Sequence, residues 1–341
     1  MTSDIRLHVR DILIIGAGPA GLAAGIAAAK SGLDYLILEK GLLVNSIFNY
    51  PKNMVFFTTP ELLEIGGIPF TSPFDKPTRS EALRYYRRVA DTYALKIEFG
   101  EAVRAVEKLE RPANGGSSFR VMTCTASGNE KVFSARTVIL ATGYYDNPNL
   151  LGIPGENLPH VSHYYTEPHG FYRKRVVVVG GENSAAEAAL DLFRSGAQVT
   201  LLHRRNQLGE SIKYWVRPDM ENRIKEGSIV ARFNTRLIEI RPVSVLLACS
   251  GGPEMLPAEG VFLLTGYHPD VDFLQRAGVR VHGDTCAPEH DPGTFETNVP
   301  GLYLAGAVVC GRDTGRVFIE NGRFHGETVI KHIVAKLKPR R

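Results

Sequence analysis

The sequence lacks most of the features that would place a protein in a membrane, outside the cell or around a metal ion. No apolar run is long enough to cross a bilayer, and residues 1–10 lack the apolar centre of a signal peptide. Only four cysteines occur among the 341 residues, and none forms a Cys-x-x-Cys pair or has the spacing of a zinc site. We therefore expect a cytoplasmic protein without a membrane segment or a metal, with its cysteines reduced.

An excess of charge of one sign is also missing. The formal net charge is +4, and the densest basic cluster is the end of the chain, residues 336–341. So mild an excess does not favour nucleic acid as a partner. With 44% hydrophobic and 22% charged residues, the composition is that of a globular protein, and the length suits two domains.

Two segments of the chain share one plan: a β-branched run, a glycine-rich turn and an alanine-rich helix. The runs are residues 11–15 and 175–179, and a further strand follows each helix, at residues 35–39 and 198–203. Each segment therefore has a βαβ pattern. The predicted fold class is α/β, with two Rossmann-like dinucleotide-binding domains.

The stretches outside these units predict how the two domains are arranged along the chain. Thr78-Arg79-Ser80-Glu81 is a capping box that predicts a helix to about Ala94, and a β-meander with a turn at Asn114-Gly115 follows. Residues 302–306 and 321–337 return to the strand and helix style of the first unit. We predict a discontinuous first domain with a second domain inserted into it; the bounds are residues 1–155 and 285–341 for the first and 156–284 for the second.

The first turn fits the pattern G-x-G-x-x-G. It follows a strand and opens a helix, and Glu39 ends the next strand 18 residues after the last glycine. Glycines let a pyrophosphate approach the helix N-terminus, and the carboxylate can accept hydrogen bonds from ribose hydroxyls. The predicted dinucleotide contacts here are Gly16, Gly18, Pro19, Ala20, Gly21 and Glu39.

The second turn differs in its charges. Glu182 replaces the middle glycine, and the following strand ends in His203-Arg204-Arg205 instead of an acid. Guanidinium groups can pair with a 2′-phosphate, so this site should prefer NADPH to NADH; a solvated surface pair of arginines is the alternative. A carboxylate at Glu182 is unfavourable for a pyrophosphate unless its side chain points away. The predicted contacts are Gly180, Gly181, Asn183, Ser184, Ala185, His203, Arg204 and Arg205.

Several longer stretches resemble the thioredoxin-reductase-like flavoproteins and, within them, the YpdA-type bacillithiol disulfide reductases. The resemblance runs nearly from end to end of the chain. Its general marks are Ala141-Thr142-Gly143 and Gly301-Leu302-Tyr303-Leu304-Ala305-Gly306. Its specific stretches are Ser46-Ile47-Phe48-Asn49-Tyr50-Pro51, Gly143-Tyr144-Tyr145, Gly180-Gly181-Glu182-Asn183-Ser184-Ala185, Gly266-Tyr267-His268-Pro269-Asp270 and Phe318-Ile319-Glu320-Asn321-Gly322-Arg323-Phe324-His325-Gly326.

The resemblance implies FAD, NADPH, a homodimer or homotetramer, and reduction of a low-molecular-weight disulfide such as bacillithiol disulfide. By family position, His325 and Tyr50 are candidate proton donors. The predicted FAD site is completed by Lys40, Asn45, Val103, Ala141, Thr142, Gly143, Gly306, Ala307, Phe318 and Ile319. The predicted NADPH site is completed by Gly266 and Tyr267.

The chain departs from these families at three points. It has no Cys-x-x-Cys in the second domain, which argues against the dithiol relay of thioredoxin reductases. Ala307 stands where those enzymes carry an acid, and Ala20 stands where YpdA-type reductases carry their proposed redox cysteine. Cys310, just after the predicted flavin turn, is the one cysteine whose location suits a redox role.

Three interpretations of the reaction with an acceptor stay open on sequence. The first is disulfide reduction, either directly by reduced flavin or through Cys310. The second is electron transfer to a ferredoxin or flavodoxin, which a basic protein would suit. The third is a non-catalytic redox sensor that holds both cofactors.

Overall fold

The structure is a computed structural model, and it describes residues 8–109 and 118–337. The predicted turn at Asn114-Gly115 and most of the basic end of the chain lie outside these ranges. The chain divides into two compact units. The first unit contains the residues up to Asn49, Met54–Asn147 and those from Tyr267 onward, and the second contains Tyr50–Asn53 and Pro148–Gly266.

Helices and strands alternate through most of the chain. In order they are β1 (Val9–Ile15), α1 (Pro19–Lys30), β2 (Tyr35–Glu39), α2 (Asn45–Phe48), α3 (Arg79–Thr92), β3 (Ile97–Phe99), β4 (Ala102–Lys108), β5 (Phe119–Cys124), β6 (Glu130–Leu140), β7 (Val161–Ser162), β8 (Arg175–Val179), α4 (Asn183–Arg194), β9 (Gln198–Leu202), α5 (Arg217–Lys225), β10 (Val230–Arg232), β11 (Arg236–Arg241), β12 (Ser244–Cys249), β13 (Gly252–Pro257), β14 (Gly260–Leu263), α6 (Val271–Arg276), β15 (Leu302–Leu304), α7 (Ile319–Gly322) and α8 (His325–Leu337). Short 3-10 turns lie at Pro60–Leu63, His169–Phe171 and Gly306–Cys310.

The first unit is built on one twisted sheet. Within the described ranges it has seven strands in the order β3-β2-β1-β6-β5-β4, with β15 also paired to β6. Strands β3, β2, β1, β6 and β15 pair in parallel, while β4 and β5 form the antiparallel meander predicted from the sequence. Parallel strands are buried on both faces, which explains the unbroken apolar run at residues 12–15.

The second unit repeats the parallel plan on a smaller scale. Its described strands form a five-stranded sheet in the order β10-β9-β8-β14-β7, every pair of which is parallel, and a separate antiparallel sheet β11-β12-β13. The alanines of α4 are buried against the sheet in one core with Val178 and Leu201. The predicted α/β class with two Rossmann-like units is confirmed.

The second unit ends earlier than the sequence predicted. Residues 267–284 were predicted to lie in the inserted domain, but they group with the first unit. Helix α6 explains the difference, because Phe273 and Leu274 pack in one core with Leu13 and Leu302. Residues 50–53 and 148–155, which were predicted to lie in the first domain, group with the second unit instead.

Local signals account for where two of the helices begin. Thr78 and Glu81 form the predicted capping box: the Thr78 hydroxyl accepts the Glu81 N–H, and the Glu81 carboxylate accepts the Thr78 N–H. Pro19 occupies the first turn of α1, where its missing N–H costs nothing. No helix in the described part of the chain is both long and apolar enough to span a membrane.

Candidate cofactor sites

The first glycine-rich turn, residues 16–21, is closely packed beneath the end of β6. Gly16 has a φ of 107°, and a Cβ atom on it would lie 2.5 Å from the carbonyl oxygen of Ala141. A Cβ atom on Gly21 would overlap the carbonyl oxygen of Gly16. Both positions therefore require glycine, and Ala141 lies directly against the turn.

The other face of this turn is open. A Cβ atom on Gly18 would meet no described atom within 4 Å. Gly18 is the N-cap of α1, and among the described residues no side chain caps this helix end. The turn therefore offers space beside a helix N-terminus whose N–H groups and dipole favour an anion, as a pyrophosphate requires.

Glu39 lies buried at the carboxyl end of β2, directly beside the first turn. Its Oε2 accepts the Ala17 N–H at 2.7 Å, and its Oε1 accepts the Gly41 N–H at 2.8 Å. Burial raises the pKa of this carboxyl, although the two N–H groups act in the opposite direction. Each carboxylate oxygen keeps a lone pair, so the group can still accept bonds from ribose hydroxyls.

A second loop lies against the first turn. A Cβ atom on Gly306 would lie 2.6 Å from the Cβ of Ala20, so the Gly306 backbone packs onto the first turn of α1. Gly322 of α7 packs in turn against Gly306. A Cβ atom on Gly322 would lie 3.4 Å from the Cα atom of Gly306. The structure thus gathers Ala20, Gly306 and α7, which follows Phe318 and begins at Ile319, around one place.

The remaining predicted flavin contacts also lie in the first unit, at varying positions. Lys40 pairs with Asp146 at 2.8 Å, and the Asn45 Oδ1 accepts the Leu42 N–H at 3.3 Å. Val103 is partly buried against the core of the unit. Thr142, Gly143 and Ala307 are half-buried next to the loops just described. Their contacts with a cofactor stay predictions.

The second turn, residues 180–185, repeats the packing of the first beneath the end of β14. Gly180 has a φ of 152°, and a Cβ atom on it would lie 2.6 Å from the carbonyl oxygen of Leu264. A Cβ atom on Gly181 would overlap the ring of His203. Position 181 therefore requires glycine, because the ring of His203 occupies the space that a side chain would fill.

Glu182 is turned onto the loop that follows β9. Its carboxylate accepts a hydrogen bond from the Ser211 hydroxyl and would overlap a Cβ atom on Gly209. Its Oε1 lies 3.9 Å from Nη1 of Arg205. The sequence left open where the Glu182 side chain points. In the structure its carboxylate is directed toward Arg205 and Ser211. A cavity of about 330 Å³ lies here, lined by Glu182 and residues 205–211.

Asn183 joins the same loop to the start of α4. Its Nδ2 donates to the Ser211 carbonyl at 2.9 Å, and its Oδ1 accepts the Lys213 N–H at 3.0 Å. The Gly209 N–H donates to the Gly181 carbonyl at 2.8 Å. Gly209 and Ser211 were missed from the sequence, because a loop without a motif gives no signal of what it folds against. Ser184 is exposed and Ala185 is buried in the core.

His203 and the two arginines after it have opposite environments. His203 is 8% exposed, and burial, with the nearby Arg205, lowers its pKa. Its Nε2 has no hydrogen-bond partner among the described residues. Arg204 and Arg205 are exposed. The two exposed guanidinium groups that directly follow His203 suit an incoming phosphate.

Residues Gly266 and Tyr267 fall on either side of the boundary between the units. Gly266 has a φ of 88° and its carbonyl accepts the Asn149 N–H in the second unit. Tyr267 belongs to the first unit, where its ring lies 4.8 Å from the ring of Tyr145. The predicted placing of Tyr267 in the second domain is therefore corrected. Tyr50, a candidate proton donor, groups with the second unit.

Cys310 ends the 3-10 turn that begins at Gly306. It is 7% exposed, and burial raises the pKa of its thiol. A disulfide is attacked by a thiolate, so a protonated and inaccessible thiol is a poor candidate for a relay. The environment of Cys310 is that of a packing residue.

Comparison with known proteins shows the family to which the chain belongs. Residues 13–306 match the model of the pyridine nucleotide-disulphide oxidoreductase family. The bacilliredoxin reductase Bdr of Bacillus subtilis is 41% identical over 330 residues, 96% of this chain and 97% of that protein. A ferredoxin–NADP reductase of Ignicoccus hospitalis is 27% identical over 332 residues, 95% of this chain and 98% of that protein. The structure of bacillithiol disulfide reductase Bdr (YpdA) from Bacillus cereus superimposes with a TM-score of 0.92 at 39% identity, covering 96% of this chain and 100% of that one.

Proposed function

Because this chain belongs to the pyridine nucleotide-disulphide oxidoreductase family, we propose that it uses NADPH and FAD to reduce a small disulfide of the bacillithiol type. Membership makes it an oxidoreductase that uses a flavin and a pyridine nucleotide, and the resemblance inferred from the sequence is confirmed. The overall reaction converts NADPH, a proton and a disulfide into NADP⁺ and two thiols.

One observation carries the choice of cofactors: the two glycine-rich turns have the same backbone packing and opposite side-chain charges. The first turn lies beside the buried carboxylate of Glu39, which suits the free ribose hydroxyls of FAD. The second lies beside Arg204 and Arg205, which suit the 2′-phosphate of NADPH. A carboxylate in that second place would repel the phosphate.

In the first unit the chain's own groups would hold FAD by its pyrophosphate and ribose. The open face at Gly18 and the N–H groups of α1 would receive the pyrophosphate, and Glu39 would accept hydrogen bonds from the ribose. When bound, the flavin supplies the ring that accepts and passes on a hydride. The protein's part is orientation and the exclusion of water.

In the second unit the N-terminus of α4 would receive the NADPH pyrophosphate. Here Glu182 leaves the turn by bonding to Ser211, and Asn183 holds the covering loop in place. Arg204 and Arg205, which are exposed, would form charge-assisted hydrogen bonds with the 2′-phosphate.

The disulfide acceptor is supported by the relatives and by the cysteines. The relatives are a bacilliredoxin reductase and a bacillithiol disulfide reductase, which point to bacillithiol chemistry. With Ala20 in the first turn and Cys310 buried, neither place offers an activated thiol. We therefore include no protein thiol in the proposed reaction.

Anaerobic reduction of the purified yellow protein tests this proposal. NADPH should bleach the flavin absorbance much faster than NADH does, and bacillithiol disulfide should then restore it. Glutathione disulfide serves as the matched control for thiol specificity. Restoration by ferredoxin or flavodoxin but by no disulfide would favour the electron-transfer function of the Ignicoccus relative. A colourless protein that takes up no added FAD would refute the proposal as a whole.

A further inference from the structure

We propose that His325 is a positioning residue that fixes the Gly306 peptide against the first turn of α1. This inference rests on the proposed FAD site, because Gly306 packs on Ala20 beside the turn that would receive the pyrophosphate. By family position alone, His325 is a candidate proton donor. Its surroundings suit a different task.

The contact that carries the inference is a hydrogen bond from the loop to the imidazole. The Gly306 N–H donates to Nδ1 of His325 at 3.2 Å, across 19 positions of the sequence. Gly306 has a φ of 77°, so its peptide leaves β15 in a direction that residues with a side chain rarely adopt. At this sharp turn the imidazole of His325 accepts the N–H group of Gly306.

The ring of His325 is held from the side by a stack of rings. Phe295 lies 4.1 Å from it at an interplanar angle of 21°, and His290 lies 5.8 Å from Phe295 at 15°. Phe295 is itself fixed, because its carbonyl accepts the N–H of Leu304, two residues before Gly306. The imidazole and the loop that it holds are therefore anchored to the same strand.

The backbone beneath His325 is held as closely. The next residue, Gly326, lies so near α1 that a Cβ atom on it would be 2.5 Å from the Ala24 nitrogen. The start of α8 is thereby pressed onto α1 where only glycine fits. His325 thus joins three parts of the proposed FAD site, namely α1, the start of α8 and the Gly306 loop.

The protonation state agrees with this role. Burial, with a smaller effect of His290, lowers the pKa of His325 to about 4. The ring is therefore neutral at physiological pH, and a hydrogen bond accepted at Nδ1 places the remaining proton on Nε2. An imidazole that stays neutral accepts the Gly306 N–H without interruption.

Three substitutions at this position separate the role of Nδ1 from that of ring packing. His325→Asn places an oxygen near the position of Nδ1, His325→Gln places its polar atoms near Nε2, and His325→Leu removes both. We expect the Asn variant to bind FAD within about twofold of the wild type. The Gln and Leu variants should bind about tenfold more weakly, because a buried N–H group is left without an acceptor.

The measurement is the dissociation constant of FAD for the apoprotein, compared with the thermal unfolding of the same apoprotein. His332→Asn is the matched control, because His332 lies on the same helix and contacts Tyr303 instead of the loop. Equal FAD affinity in the Asn, Gln and Leu variants would overturn the inference. Wild-type protein that binds no FAD would instead refute the proposed function.

A second measurement needs no variant. In the ¹⁵N spectrum of histidine-labelled wild-type apoprotein, the proposal requires an unprotonated Nδ1 and a protonated Nε2 at His325. A ring protonated at Nδ1 could not accept the Gly306 N–H, and that result would overturn the inference even if every variant failed to fold.

Discussion

The two glycine-rich turns are alike in backbone and different in what surrounds them. In each, the first glycine lies beneath the carbonyl oxygen at the end of a neighbouring strand: Gly16 under Ala141, and Gly180 under Leu264. The space beside them differs. At the middle position the first turn has Gly18, beside which a Cβ atom would meet no described atom within 4 Å, whereas the second has Glu182, whose carboxylate bonds to Ser211. The shared backbone makes a place for a pyrophosphate, and the neighbouring side chains select the nucleotide.

The electrostatics of the two turns differ in the same way. At the first turn the selecting group is Glu39, which is buried and held by two backbone N–H groups. At the second the selecting groups are exposed arginines, and burial lowers the pKa of His203 beside them. A buried carboxylate held by two N–H groups therefore contrasts with exposed cations, one of which lies 3.9 Å from the Glu182 carboxylate.

The largest expected effect is the loss of the NADPH preference. The double variant Arg204→Gln, Arg205→Gln should raise the dissociation constant of 2′,5′-ADP about 100-fold, because two charge-assisted hydrogen bonds are lost and each, at an exposed arginine, contributes about 1.4 kcal/mol, a factor of about ten. The affinity for 5′-AMP should change less than about threefold. Calorimetry on the intact protein measures both.

The control for this variant removes two arginines from the same unit. Arg175→Gln, Arg194→Gln makes the same charge change at residues paired with Glu259 and Asp219. If the control variant weakened the binding of 2′,5′-ADP by the same factor, the net charge and not the second turn would determine the selectivity.

Removing the charge of Glu39 should affect the first turn alone. Glu39→Gln should weaken FAD binding about tenfold, because the amide cannot accept bonds from Ala17, Gly41 and the ribose at once. Binding of 2′,5′-ADP should be unchanged. An equal loss of affinity for FAD and for 2′,5′-ADP would mean that the variant had disturbed the fold.

The pH dependence of FAD binding provides a second test of Glu39. The pKa of Glu39 is raised above 4.5, so its carboxyl takes up a proton at a higher pH than an ordinary glutamate does. FAD affinity for the wild-type apoprotein should therefore begin to fall before the pH reaches 4.5. In Glu39→Gln this portion of the pH dependence should be absent, and its persistence would assign it to another group.

A smaller effect, in the opposite direction, is expected at Glu182. Glu182→Gln keeps an acceptor for Ser211 but removes the carboxylate that competes with phosphate for Arg205, so 2′,5′-ADP should bind about threefold more tightly. Glu210→Gln is the matched control, because Glu210 lines the same cavity. Equal tightening in both variants would indicate a general charge effect.

The smallest expected effect is at Cys310, which lies outside both turns. Cys310→Ser should change disulfide turnover less than about twofold, because a buried thiol with a raised pKa does not attack a disulfide. Cys286→Ser is the control at another buried cysteine. A loss of turnover in the first variant alone would bring a thiol relay back into the mechanism.

Much of the fold could be predicted because its signals are local. The two βαβ units, the meander and the capping box of α3 follow from β-branched runs, glycine-rich turns and one Thr-x-x-Glu pattern. The error at residues 267–284 has a physical cause. The packing of Phe273 and Leu274 against β15 joins residues that are nearly 30 positions apart, and no local pattern records it.

The sequence by itself determined the class of protein: two glycine-rich turns, a carboxylate after one and two arginines after the other. These are properties of short segments, because strand, turn and helix preferences act between near neighbours. The tertiary structure alone decided the direction of Glu182, the lowered pKa of His203, the burial of Cys310 and the bond from Gly306 to His325. Each of these depends on burial or on contact with a distant segment, and both arise only when the chain is folded.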